Sequence, residues 1–297
     1  MSKKKNSFKL WVEGARLRTL PLAIAPVAIG AGAAAAAQAA NIWLDLLALA
    51  VALFLQIGVN FANDYSDGIR GTDATRVGPL RLTGSKSVRP EAVKFAAFGF
   101  FALAGVAGIA IVLIIQIWWL IAVGAVAILA AWFYTGGKRP YGYAGLGEVS
   151  VFVFFGLVAT IGTSFIQVRE VNGPELFGGI SAGLFASAVL MVNNIRDREL
   201  DQHVGKRTLS VLIGRKASIA LFLVMVWLPF AFLAMDVVIF PATFFAYAAV
   251  FLIAPVTLIV LTAKTPRELI LVLKLTSFAA LAYGVLLGWG LAVVNLS

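Results

Sequence analysis

Two short polar stretches interrupt an otherwise apolar chain. The first, Asn60-Phe-Ala-Asn63-Asp64-Tyr-Ser-Asp67-Gly-Ile-Arg-Gly-Thr-Asp73, follows the apolar run Ile42 to Val59. Asn60, Asp64 and Asp67 are spaced i, i+4, i+7, one face of a helix that continues past the run. The second, Asn193-Asn-Ile-Arg-Asp197-Arg-Glu-Leu-Asp201, follows the run Leu176 to Val192, with Asn193, Asp197 and Asp201 at i, i+4, i+8. Carboxylates and amides together offer hard oxygens, which suit Mg2+. Acids at a membrane-length helix are costly unless paired, and they mark functional sites. One such stretch could be a solvated helix end. Two of them, each beside basic residues, read as facing walls of a metal site.

The loop after each stretch mixes glycine, hydroxyls and cations. One runs Gly71-Thr-Asp73-Ala-Thr-Arg76-Val-Gly78-Pro79-Leu-Arg81-Leu-Thr-Gly84-Ser85-Lys86, the other Gly205-Lys206-Arg207-Thr208-Leu-Ser210. Such loops wrap phosphate oxygens with backbone N–H groups and cationic side chains. A third loop, Tyr134-Thr-Gly136-Gly137-Lys138-Arg139-Pro140-Tyr141-Gly-Tyr143, joins aromatic rings to cations. Ring faces stabilise a nearby cation, and an interfacial aromatic belt with snorkelling cations has the same composition. Arg16 and Arg18 are placed to reach the same anion or to set topology. Glu148 reads as the acid of a helix N-terminus, and the lone His203 as a loop residue.

Composition sets the solvent. Of 297 residues 61% are hydrophobic and 13% charged, against roughly 45–50% and ~25% in soluble domains. The chain is read as an integral membrane protein, a single polytopic unit over residues 1–297 without a cleavable leader. The absence of cysteine excludes disulfides and thiolate metal sites. A formal net charge of +10 would raise nucleic-acid binding in a soluble protein. Here the charges sort by membrane side, so a lipid bilayer and an anionic substrate are the expected partners, not nucleic acid.

A span needs about 20 mainly apolar residues. Nine are expected, over 19–38, 43–63, 93–114, 117–135, 148–167, 175–194, 214–235, 241–262 and 269–292. Lys and Arg crowd the N-terminus and the even-numbered loops, and the odd loops hold only Arg169. The positive-inside rule then puts the N-terminus and both acidic motifs in the cytoplasm and the C-terminus outside. The motifs end spans two and six, so any internal repeat is parallel, spans one to four matching five to eight with span nine added.

At these motifs the chain resembles the UbiA-type membrane prenyltransferases, whose pattern is Asn-Asp-x-x-Asp-x-x-x-Asp after span two and Asp-x-x-x-Asp after span six. The second motif, Asp197 to Asp201, matches in full. In the first, Gly71 stands at the last Asp position, and Asp73 is the nearest acid. The runs Arg16-Leu-Arg-Thr-Leu-Pro21, Gly78-Pro-Leu-Arg81, Gly145-Leu-Gly-Glu148 and Gly205-Lys-Arg-Thr-Leu209 are most similar to the family's menaquinone branch.

The resemblance implies an all-α fold of nine transmembrane helices around a central cavity, open to the cytoplasm and sideways to lipid, in a bacterial cell membrane. It implies Mg2+ held by Asn63, Asp64, Asp67, Asn193, Asp197 and Asp201, with those four aspartates catalytic. Polyprenyl diphosphate and an aromatic acceptor would contact Arg16, Asn60, Asn63, Asp73, Arg81, Tyr134, Lys138, Arg139, Asn193, Lys206 and Arg207. The implied reaction moves the polyprenyl group to 1,4-dihydroxy-2-naphthoate with loss of CO2, giving demethylmenaquinone. The same motifs would serve 4-hydroxybenzoate. Two other classes share features with the chain. Asp64-Tyr-Ser-Asp67-Gly68 looks like the opening of a CDP-alcohol phosphotransferase, but the rest of that pattern does not follow. An ion-coupled transporter would carry its acids at mid-span, whereas these lie at one face.

Overall fold

The computed structural model describes residues 7–72 and 80–293 and contains no strand among them. In hydrocarbon every backbone polar group must be satisfied internally, and a helix does this within one segment. The helices are α1 (Ser7–Ala15), α2 (Pro21–Ala36), α3 (Ile42–Ile69), α4 (Pro90–Ile115), α5 (Leu120–Phe133), α6 (Gly147–Val168), α7 (Gly173–His203), α8 (Leu209–Ile239), α9 (Pro241–Thr262) and α10 (Glu268–Ala292). Each of the nine expected spans has a helical counterpart. Seven helices, α3, α4 and α6 to α10, are long and apolar enough to cross a membrane alone. A bent pair, Phe8–Thr19 and Pro21–Ala36, meets at 49° and makes an eighth crossing if counted as one. The expected span 117–135 shrinks to the 14 residues of α5. At 1.5 Å per residue these reach ~21 Å, short of the ~30 Å hydrocarbon core.

Both motif helices run on past their apolar stretch. α3 reaches Ile69, beyond the expected end at 63, and α7 reaches His203, beyond 194. The acids therefore sit in helix, not in loops. α7 is the axis of the bundle: 72% of its apolar window is buried, against 22–50% in the other full-length crossings. It is packed by small residues where helices come close, as membrane helices are. A Cβ on Gly156 would stand 2.4 Å from the Cα of Gly183, and one on Gly288 would stand 2.1 Å from the Ala28 carbonyl oxygen, so α6 against α7 and α10 against α2 tolerate nothing larger. Phe185, Phe222 and Tyr283 fill the core between α7, α8 and α10. Within α6, Phe152–Val158 widens into a π-helical run.

At the bundle end remote from the motifs, Gln167 ties α6 to the start of α3. It donates to Asp45 Oδ1 at 2.8 Å and accepts from the Asn41 amide at 2.6 Å. Trp118 and Trp119 stand exposed at this same end, as interfacial aromatics do.

Candidate active site

A cavity of about 550 Å³ opens where the C-terminal halves of α3 and α7 meet the break between α1 and α2. Its mouth is polar: Arg16, Arg18, Asn60, Asn63, Asp67, Arg81, Tyr134, Tyr143, Asn193, Arg196, Asp201 and Lys206 all border it. Below the mouth the lining turns apolar and continues to Val112, Ile121 and Ile166, near the opposite end of α4, α5 and α6. Ile109 and Ile121 border this shaft and are each about half exposed, 50% and 46%. Three glycines, Gly108, Gly124 and Gly162, border it with open space where a Cβ would go.

The α1–α2 break brings the first cations in. Arg16 adopts φ 53°, and its carbonyl accepts from the Thr19 amide at 2.8 Å and the Thr19 hydroxyl at 2.9 Å. Asn60 anchors this turn to α3: its amide nitrogen donates to the Ala15 carbonyl at 2.9 Å and to Thr19 Oγ1 at 3.0 Å. Gln56 adds a bond to the same hydroxyl at 2.9 Å. The two amides thus spend their donors on positioning the arginine turn.

The two acidic walls are joined by one cluster. Lys206 Nζ lies 3.1 Å from Asp67 Oδ1, with both side chains buried. The Tyr143 hydroxyl donates to the same oxygen at 2.5 Å, and Lys206 stacks over the Tyr143 ring at 4.5 Å. Burial pushes the Tyr143 phenol up, and the Asp67 carboxylate beside it adds to the shift, so the hydroxyl keeps its proton and donates. The Arg70 guanidinium lies over the same ring at 5.3 Å and donates to the carbonyls of Thr135 and Gly137, which latches the loop 134–143 to α3. Asn63 Oδ1 accepts from the Thr135 hydroxyl at 2.7 Å.

On α7, Arg196 binds Asp197 through Nε at 2.7 Å and Nη2 at 2.6 Å, and its Nη2 also reaches Asn193 Oδ1 at 2.6 Å. Arg196 Nη1 and Thr208 Oγ1 are buried at the cavity with no hydrogen-bond partner. Orphaned donors in a cation-rich mouth are what an anion with several oxygens would satisfy.

The expected site residues divide accordingly. Arg16, Asn60, Asn63, Asp67, Arg81, Tyr134, Asn193, Asp201 and Lys206 border one cavity. Five do not. Asp64 is fully buried, with both oxygens held by the amides of Leu82 and Thr83 at 2.8 Å. Asp197 is taken up by the Arg196 guanidinium. Lys138, Arg139 and Arg207 are exposed and outside the cavity lining. Their loops turn these side chains outward while presenting Tyr143 and Lys206 inward. Asp73 lies outside the described residues. Sequence reasoning passed over Arg196, Tyr143, Thr208 and Asn194 as site residues. The signal for Arg196 was present, an arginine three residues after Asn193 and thus on its helix face. Asn194 binds Glu148 Oε1 at 2.8 Å, which makes Glu148 a buried partner of α7 in addition to a helix-start acid.

The donor set fits a hard cation. Asp67 and Asn63 on α3 and Asp201 and Asn193 on α7 all border the mouth, and each carries a hard oxygen donor. Among the described residues no three acids or histidines gather closely enough to cage a metal by themselves. Mg2+ is commonly held by one or two carboxylates plus substrate phosphates, and this mouth offers that arrangement.

The chain matches the UbiA prenyltransferase family over residues 23–269, and it belongs to that family. It is an integral membrane enzyme, an aromatic prenyltransferase. It is 51% identical over 208 residues to the 1,4-dihydroxy-2-naphthoate octaprenyltransferase of Mycobacterium tuberculosis, covering 70% of this chain and 71% of that one. With the Escherichia coli protein of the same name it shares 37% over 210 residues, 69% and 68% of the two chains. Its fold is similar to that of a UbiA homolog from Archaeoglobus fulgidus bound to GPP and Mg2+, with a TM-score of 0.65 over 95% of this chain and 99% of that one at 15% identity.

Proposed function

We propose that this protein transfers a polyprenyl group from its diphosphate to 1,4-dihydroxy-2-naphthoate, with loss of CO2, in menaquinone synthesis. One observation supports it most: a mouth lined by arginine, lysine and hard oxygen donors runs without a break into an apolar shaft. A diphosphate head with a long apolar tail has that profile. The relatives' names supply the naphthoate acceptor.

Asp67 and Asp201, with Asn63 and Asn193, would hold Mg2+ directly or through water. Charge on the leaving diphosphate would be neutralised by an ion held at these residues. Arg16, Arg18, Arg81, Arg196 and Lys206 orient the diphosphate oxygens and take up the charge that grows as the allylic C–O bond breaks. Tyr134 borders the cavity where cationic carbon would develop, and its ring would shield that carbon. The shaft excludes water from that carbon until the acceptor ring attacks, and the tail leaves where Ile109 and Ile121 are exposed to lipid. The mouth faces the cytoplasm, because the basic loops that surround it are the retained ones.

Competition between acceptors tests the assignment. Purified protein, Mg2+ and a polyprenyl diphosphate are given equal 1,4-dihydroxy-2-naphthoate and 4-hydroxybenzoate, and products are identified by mass. Demethylmenaquinol, read as its quinone after oxidation by air during work-up, is expected in step with CO2 and diphosphate. Predominant prenylated hydroxybenzoate, or naphthoate product that keeps its carboxylate, would overturn the acceptor while leaving prenyl transfer intact.

A further inference from the structure

Asp64 is more buried than Asp67, the other described acid of the first motif, and it does not border the cavity. Oδ2 accepts from the Leu82 amide and Oδ1 from the Thr83 amide, each at 2.8 Å. Those amides open a compact turn. Ser85 N donates to Arg81 O at 2.9 Å, Lys86 N to Thr83 O at 2.9 Å, and Ser87 N and Val88 N both reach Leu82 O at 3.0 and 3.1 Å. The turn is seated from two sides. Leu82 is fully buried with Phe61, Ala62 and Phe101, and a Cβ on Gly14 would stand 2.6 Å from its Cδ1. A Cβ on Gly68 would stand 2.4 Å from Thr83 Cγ2, so α3 accepts the turn only because that position is glycine. The residue immediately before the two clamped amides is Arg81, which borders the cavity mouth.

We infer that Asp64 is a positioning residue: its carboxylate clamps the 81–88 turn to α3 and thereby sets Arg81 against the diphosphate, while the metal is left to Asp67 and Asp201. A carboxylate that receives two backbone N–H bonds in a buried setting has few lone pairs to offer an ion, and those bonds are of the strong, charge-assisted kind. The inference rests on the prenyl-diphosphate reading for its kinetic arm only.

Three variants of the full chain test it: Asp64→Asn, Arg81→Gln and Leu82→Ala. The last loosens the turn from its other side and leaves the carboxylate alone. In metal-free protein, amide hydrogen exchange at Leu82 and Thr83 should speed at least ~10-fold in D64N. KM for polyprenyl diphosphate should rise ~10-fold or more in D64N and L82A alike, and D64N with R81Q should be no worse than R81Q alone. Mn2+ binding at inorganic diphosphate concentrations that saturate both proteins should stay within about twofold of the parent in D64N. A fall of ~10-fold or more in Mn2+ affinity with the turn amides still protected would make Asp64 a metal ligand and end the proposal. Additive losses in the double variant would do so too. If D64N does not fold, a wild-type KM in L82A is sufficient to refute it. A protein that transfers no prenyl group would still give the exchange result, so the two readings fail separately.

Discussion

Lys206 Nζ stands 3.1 Å from Asp67 Oδ1, a buried ion pair that joins the loop after the second motif to the helix of the first. It gives Asp67 a counter-charge and ties α3 to the chain beyond α7. Removing one member of a buried pair strands the other, typically at a cost of ~3–5 kcal/mol. Lys206→Met should therefore lower the thermal midpoint. Mg2+ alone should raise that midpoint more in the variant than in the parent, since the ion supplies the missing charge to Asp67. Differential scanning fluorimetry in detergent reads both; equal metal shifts in the two proteins would argue against Asp67 as a metal position.

Arg196 should show the structural side of the second motif. It forms two bonds to Asp197 and one to Asn193. Arg196→Ala removes the guanidinium that holds Asp197, so the expected loss is again ~3–5 kcal/mol with turnover lost beside it. Arg196→Ala with Asp197→Ala should regain a large part of the stability and none of the activity. A denaturation series in mild detergent compares the two.

The shaft offers a cleaner steric prediction. Gly162 lies in α6 with open space at its Cβ position. Gly162→Ala should be neutral or stabilise by up to about 1 kcal/mol, because glycine is a poor helix residue. Gly162→Leu projects into the shaft. It should raise KM for a long polyprenyl diphosphate at least ~10-fold while sparing geranyl diphosphate, the loss expected when an apolar tail loses a few methylenes of burial. KM measured on a series of chain lengths decides it; a uniform rise across the series would put Gly162 outside the tail path.

Much of the fold could be read from the sequence, because apolar run length is a one-dimensional signal. α5 was overdrawn, since hydropathy continues through Trp118 and Trp119 while the helix begins at Leu120. The site was less legible. Helical spacing grouped Asn60, Asp64 and Asp67, and at about 100° per residue these and Asn63 share one stripe about 100° wide, with Asn63 at one edge and Asp64 at the other. There the turn at Leu82 and Thr83 claims it, a contact between residues 18 and 19 positions apart that no periodicity encodes. Adjacent residues Lys206 and Arg207 are equally basic in the sequence; only the fold buries the first and exposes the second.

That exposure also makes topology measurable. In this cysteine-free chain Arg207→Cys and Lys138→Cys should react with a membrane-impermeant maleimide only from the cytoplasmic side, and Glu170→Cys only from outside. Reaction of Arg207→Cys in intact cells would reverse the orientation and move the site to the other face.

The central claim is that Asp67 and Asp201 hold a metal-bound diphosphate between α3 and α7. Electron paramagnetic titration of Mn2+ with a thio-analogue of a prenyl diphosphate tests it directly, on the parent, Asp67→Asn and Asp201→Asn. The account predicts tight Mn2+ binding to the parent that depends on the analogue, a loss of affinity of ~10-fold or more in each variant, and turnover reduced at least ~100-fold in both. Mn2+ binding unchanged in both variants, or full turnover in EDTA, would contradict it.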